Sequence, residues 1–137
     1  KKMSKSAGNY IALIHSEGET LDRIKSMFTD PVKIRKTDKG HPDGCVVFAF
    51  HKIYNQEAIA VVRQECEDGL RGCVDCKTQL AQKMNQALKS IRDKRKELEQ
   101  QTDLIYDILS SGAHQARKVA QATLSEVKDV MNLTRKK

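Results

Sequence analysis

"CVDCKTQLAQKMNQALKSIRDKRKELEQ" (residues 73–100) is the stretch on which the fold turns. Leu80, Met84, Leu88, Ile91 and Leu98 recur at steps of four, three and seven residues, the period of one helix face. Lys and Arg crowd the positions between them. A strand cannot present such a stripe on one side, because its side chains alternate. The spacing therefore predicts one long amphipathic helix over the whole stretch.

Working outward, the flanks read the same way. "SEGETLDRIKSMFTD" (16–30) carries Ser16 and Glu19 at capping-box spacing, and Asp30–Pro31 ends it. "PVKIRKTDKGHPDG" (31–44) is a basic loop punctuated by Gly and Pro, with no apolar period. "CVVFAFHKIY" (45–54) is short and apolar, and its helical neighbours favour helix. Asn55 is placed to cap "QEAIAVVRQECEDG" (56–69), which Gly69 terminates. "LRG" (70–72) is a tight connection. Downstream, Thr102 is placed to cap "DLIYDILSSGAHQARKVAQATLSEVKDVMNL" (103–133), where "SSGA" (110–113) marks a possible break. The expected fold is all-α, a bundle of antiparallel helices over residues 15–137 preceded by a loop over residues 1–14.

Composition narrows the function classes. Aromatics are 4% and Trp is absent, so aliphatic residues and Met must fill the core. The net charge of +7 suits a polyanionic partner as well as a merely solvated helical surface. The longest apolar run is the six residues of "CVVFAF", far short of the ~20 that span a bilayer. Nothing reads as a secretory signal. A cytoplasmic protein with reduced cysteines is expected.

Cys45, Cys66, Cys73 and Cys76 are the four cysteines. Cys73 and Cys76 fall one helical turn apart at a helix start, where the dipole favours thiolate. Cys66 lies just across "EDGLRG", and Cys45 is remote in sequence. Four thiolates suit tetrahedral zinc or an iron–sulfur cluster; with no metal they would be ordinary small core residues. Three near ligands and one distant one resemble a zinc ribbon less than a cluster site. His41 stands as a substitute ligand.

The chain opens on "KKMSKSAGN". Lys2 and Lys5 stand three residues apart with Ser4 and Ser6 beside them, a composition for clamping a polyphosphate. "KMSKS" (2–6) resembles the loop of that sequence in class I aminoacyl-tRNA synthetases. "SMFTDPVKIRKTD", "VFAFHKIY" and the closing "ILSSGAHQARKVAQATLSEVKDVMNL" are similar to the tryptophanyl branch of that family. The resemblance implies a C-terminal piece of a tryptophan–tRNA ligase, inactive alone because the upstream ATP motif and amino acid pocket are missing. It implies that Lys5 and Lys2 are catalytic, holding the leaving pyrophosphate of ATP with Mg, and that Ser4 and Ser6 assist. It implies a helical domain that binds the anticodon loop of tRNA(Trp), in a homodimeric parent. It also favours a 4Fe–4S cluster over zinc on the four cysteines. The alternative is a non-catalytic, metal-stapled helical module that binds RNA or protein.

RNA loops are read by Arg, polar groups and stacking. Arg35, Lys36 and Lys39 in the basic loop are candidates, with Arg71 beside the cysteines and Arg92 among the cations of the long helix. Arg71 is expected to present a guanidinium to a base edge. "RDKRKELE" is otherwise an ordinary solvated face with i,i+4 ion pairs.

Overall fold

The computed structural model describes residues 3–133, and every regular element among them is helical. Five α-helices follow in order: α1 Glu17–Lys25, α2 Val46–Tyr54, α3 Ile59–Glu67, α4 Cys73–Glu99 and α5 Thr102–Val130. Short 3-10 turns at Pro42–Gly44 and Gln56–Ala58 precede α2 and α3. The chain divides into two compact units, Lys1–Asp93 and Lys94–Lys137.

In the first unit the capping box forms as expected. The Ser16 hydroxyl accepts from the Glu19 N–H at 3.2 Å, and the Glu19 carboxylate accepts from the Ser16 N–H at 2.8 Å. The Ser16 N–H, and the Ser16 hydroxyl donating to the same carboxylate oxygen at 2.8 Å, hold Glu19 below the usual carboxylate range. α1 ends at Lys25, five residues before Asp30, and Lys77 of α4 donates to the Lys25 and Met27 carbonyls just past its end. Those carbonyls find a side-chain donor in place of further helix.

The core joins α1, α2 and α4 through Ile24, Val47, Leu80, Ala81, Met84 and Leu88. Leu80 and Met84 are 0% and 1% exposed, so each contributes about 1.5–3 kcal/mol of hydrophobic stabilisation. Ile91, assigned by period to the same stripe, is 47% exposed. Polar ties reinforce the packing: Arg92 donates to Thr20 Oγ1 and Asn85 Oδ1, both at 2.8 Å, and Asn85 donates to the Glu17 carbonyl at 3.2 Å.

Two caps differ from expectation. Asn55 makes no side-chain cap; it is fully buried, with its amide 3.0 Å from His51 Nδ1. Thr102 begins α5 as its first helical residue rather than capping it. In the second unit α5 runs unbroken through "SSGA", because one Gly costs a 29-residue helix only about 1 kcal/mol. Among the described residues no helix is long and apolar enough to cross a membrane.

Candidate functional site

Residues 3–9 form an exposed turn built from its own polar groups. The Gly8 N–H donates to the Lys5 carbonyl at 3.1 Å, and the Ala7 N–H to Ser4 Oγ at 3.2 Å. The Ser4 and Ser6 hydroxyls lie 3.3 Å apart, and Ser4 N–H donates to Asn9 at 2.9 Å. The hydroxyls of both serines thus shape the turn. Lys5 is exposed and its ammonium has no partner among the described residues. Lys2 lies outside the described residues.

The second constellation is a pocket lined by all four cysteines together with Asp30, Lys33 and Arg71. Cys45 precedes α2, Cys66 sits in the last turn of α3, and Cys73 and Cys76 occupy the first turn of α4. All four are free thiols. Burial pushes Cys66 up and Cys76 up to about 11, and neighbouring thiols add to it. Two glycines make the close packing feasible. A Cβ on Gly40 would lie 2.6 Å from Cys66 Sγ, and one on Gly69, at φ +72°, would collide with the Thr37 carbonyl.

A single zinc ion needs its sulfurs drawn in to about 2.3 Å. Among the described residues no three His, Cys, Asp or Glu side chains form such a metal-binding group. The zinc alternative therefore finds no support in this arrangement, nor do the cysteines by themselves form a closed metal centre. His41 is not a substitute ligand here: its Nδ1 lies 2.9 Å from Asp30 Oδ2, and its side chain is 71% exposed.

Residues that the sequence reading passed over surround this pocket. His51 is fully buried, with Nε2 3.1 Å from the Cys76 carbonyl and 3.3 Å from Cys76 Sγ. A carbonyl only accepts, so Nε2 carries the proton and Nδ1 accepts from the Asn55 amide. Burial lowers the His51 pKa and keeps the ring neutral. Lys33 is buried and donates to the Lys36 carbonyl at 2.9 Å and to the Asp38 carbonyl. Asp38 accepts from the Ile34 and Arg35 N–H groups at 3.1 and 2.7 Å. Asp30 accepts from the Val32 and His41 N–H groups at 3.0 and 2.7 Å, bonds that hold it below the usual carboxylate range. Thus the basic loop is a folded scaffold around one buried lysine. A signal existed: Asp30 and Asp38 are acidic residues in an otherwise cationic run, where they serve as backbone acceptors.

The candidate RNA-binding cations divide. The Arg35 guanidinium is exposed and has no partner among the described residues, while Lys36 lies 3.3 Å from Asp75 with both side chains about two-thirds exposed. Arg71 is 13% exposed, and its Nε and Nη1 donate to Glu65 at 2.8 Å and Gln79 at 3.0 Å. Arg92 ties α4 to α1. The expectation is that Arg71 presents its guanidinium to a base edge; here Nε, Nη1 and Nη2 each have a protein partner in Glu65 or Gln79, which leaves over two of its five N–H donors.

A turn carrying Lys5, Ser4 and Ser6, a thiol-lined pocket and an all-helical fold meet here in one chain. The family model for class I tRNA synthetases of tryptophan and tyrosine matches residues 1–89. The chain belongs to that family. Among class I synthetases it is similar to the tryptophan–tRNA ligases of Aquifex aeolicus, 38% identical over 97% of this chain and 34% of that protein, and of Thermotoga maritima, 36% identical over 97% and 41%. A crystal structure of the Campylobacter jejuni tryptophanyl-tRNA synthetase superposes with a TM-score of 0.83 at 28% identity, over 96% of this chain and 42% of that one. A second structure of that synthetase, in complex with ADP and tryptophan, superposes equally well. The chain thus spans well under half the length of the synthetases it matches.

Proposed function

We propose that this chain is the C-terminal part of a tryptophan–tRNA ligase and supplies the ATP-clamping loop and a helical domain for the tRNA anticodon. The observation that carries it is the exposed Lys5 ammonium, without a partner among the described residues, on the self-supporting turn of residues 3–9, in a chain whose tryptophan–tRNA ligase relatives align along 97% of its length.

In the activation step, the tryptophan carboxylate attacks the α-phosphorus of ATP and pyrophosphate leaves. Lys5 follows the growing charge on the leaving group, because an unengaged ammonium on a mobile stem can shorten its contact as charge develops. Lys2 shares that charge, Mg neutralises the remainder, and Ser4 and Ser6 keep the turn in shape. In the full-length enzyme, Lys5→Ala should lower tryptophan-dependent ATP–pyrophosphate exchange about 10²–10³-fold, the scale of one lost transition-state donor. Exchange at the wild-type rate would remove Lys5 from the mechanism. The chain by itself should show no exchange.

For RNA, the geometry favours Arg35 and Lys36 at the surface of the basic loop, with Arg71 and Arg92 as internal supports. The proposed cofactor is a 4Fe–4S cluster on Cys45, Cys66, Cys73 and Cys76. Four free thiols from three segments line one pocket, the donor set of a group that spreads its ligands around several metal atoms. When bound, it would staple α2, α3 and α4 together. Anoxically purified protein should then contain iron and absorb broadly near roughly 400 nm. Iron-free protein under anoxic preparation that folds normally would return the cysteines to plain packing. No observation favours the non-catalytic module.

A further inference from the structure

The lysine turn holds its shape locally, so its placement depends on contacts beyond itself. A long-range hydrogen bond to it runs from Arg23 Nη1 on α1 to the Gly8 carbonyl. Gly8 also donates through its own N–H to the Lys5 carbonyl. One residue therefore joins Lys5 to Arg23. The Arg23 guanidinium carbon lies 5.7 Å from the centre of the Tyr10 ring, so a cation–π contact holds the same side chain at the exit of the turn. The Tyr10 ring in turn lies 5.5 Å from that of His15, just before the cap of α1.

α1 is itself fixed. Arg92 and Asn85 hold Thr20 and the Glu17 carbonyl, and Lys77 holds the carbonyls past Lys25. Ile24, next to Arg23, is fully buried in the core. The base of the Arg23 side chain is thus rigid while its tip grips a surface turn. No carboxylate pairs with that guanidinium in the structure's ion pairs among the described residues. Its strongest contacts go to the turn and its exit. Arginine cannot lose its charge here, so the tie is permanent with respect to pH.

We infer that Arg23 is a positioning residue for amino acid activation: it transmits the placement of α1 to the Lys5 turn through the Gly8 carbonyl. The inference rests on the reading of Lys5 as the ATP clamp. A small misplacement of a charge-stabilising group is enough to cost ten- to a hundred-fold in rate.

The test is a double-mutant cycle in the full-length enzyme, read as ATP–pyrophosphate exchange at saturating tryptophan. Arg23→Ala should lower kcat about ten-fold with the KM for tryptophan unchanged. Arg23→Lys, which keeps a donor and a charge, should recover part of the loss. In a Lys5→Ala background, Arg23→Ala should have no further effect, because its action passes through Lys5. Full additivity of the two losses, or a wild-type kcat for Arg23→Ala beside an impaired Lys5→Ala, overturns the role of Arg23 alone. An unimpaired Lys5→Ala overturns the ATP-clamp reading and this inference with it. Should Arg23→Ala fail to fold, the same comparison made with Arg23→Lys decides between additive and non-additive losses.

Discussion

The lysine turn and the cysteine pocket lie in one compact unit, yet they are built on opposite plans. The turn keeps its side chains in water and satisfies its backbone with hydroxyls and near neighbours. The pocket buries charged and sulfur groups and surrounds them with long-range bonds, from Asp30 to His41, Gly40 to Cys66 and His51 to Cys76. A group that must meet a passing substrate is best left unengaged. One that must hold three helix ends together is best over-determined. Substitution at the turn should therefore be felt in activity and not in stability, and at the pocket in stability first.

The sharpest break between them lies in what substitution does to activity and folding. Lys5→Ala, with its expected 10²–10³-fold loss of exchange, should leave the melting temperature of the chain unchanged. A large fall in that temperature would show that the turn is part of the scaffold. Gly69→Ala should do the reverse. A left-handed φ on a residue with a side chain costs about 1–3 kcal/mol, and the collision with the Thr37 carbonyl adds to it. Urea unfolding of the chain should show this loss, while exchange by the full-length enzyme, assayed where it is folded, stays near wild type.

Acid should reach the pocket side first. The Asp30 carboxyl is held below its ordinary range by two N–H donors, so its contribution is present above the unfolded value, ~3.9, and is lost as pH falls through the depressed folded value. Asp30→Asn should melt lower than wild type at neutral pH, since an amide nitrogen cannot accept from the His41 N–H. The difference should shrink below pH ~4. A constant difference down to pH 2 would show that the carboxylate charge is irrelevant. The smallest effect is expected at Lys36, whose pair with Asp75 is exposed on both sides: Lys36→Ala should change stability by less than about 1 kcal/mol but weaken tRNA binding in a salt-dependent way.

The two regions also differ in how far they could be read from sequence. The turn announces itself because its chemistry is contiguous: Lys5, Ser4, Ser6 and Gly8 lie within a few positions of one another. For the pocket, the cysteine spacing predicted that the four side chains gather in one place, and they line one pocket; elsewhere Ser16 with Glu19 marked the start of α1. The long stripe of α4 was legible as far as Leu88. Beyond it period alone could not tell burial from exposure, because burial needs a facing surface, and Ile91 is only half covered. Asn55 looked like a cap because it precedes a helix, whereas His51, one turn earlier, offers it a buried acceptor. Arg71 looked wholly available because its chain neighbours are a turn; Glu65 and Gln79, which accept from it, come from two helices that only the fold brings together.

Lys33 carries a consequence for anyone labelling this protein. Its amine is shut inside the loop on two carbonyls, with a side chain only a few per cent exposed, while Lys36 and Lys39 a few positions on stand in solvent. A reagent that acylates amines must wait for the loop to open before it reaches Lys33, so the lag between these lysines in a mass-spectrometric time course becomes a clock for that opening. Once acylated, the side chain can no longer return to its place, and each labelled molecule keeps a permanent record of one excursion.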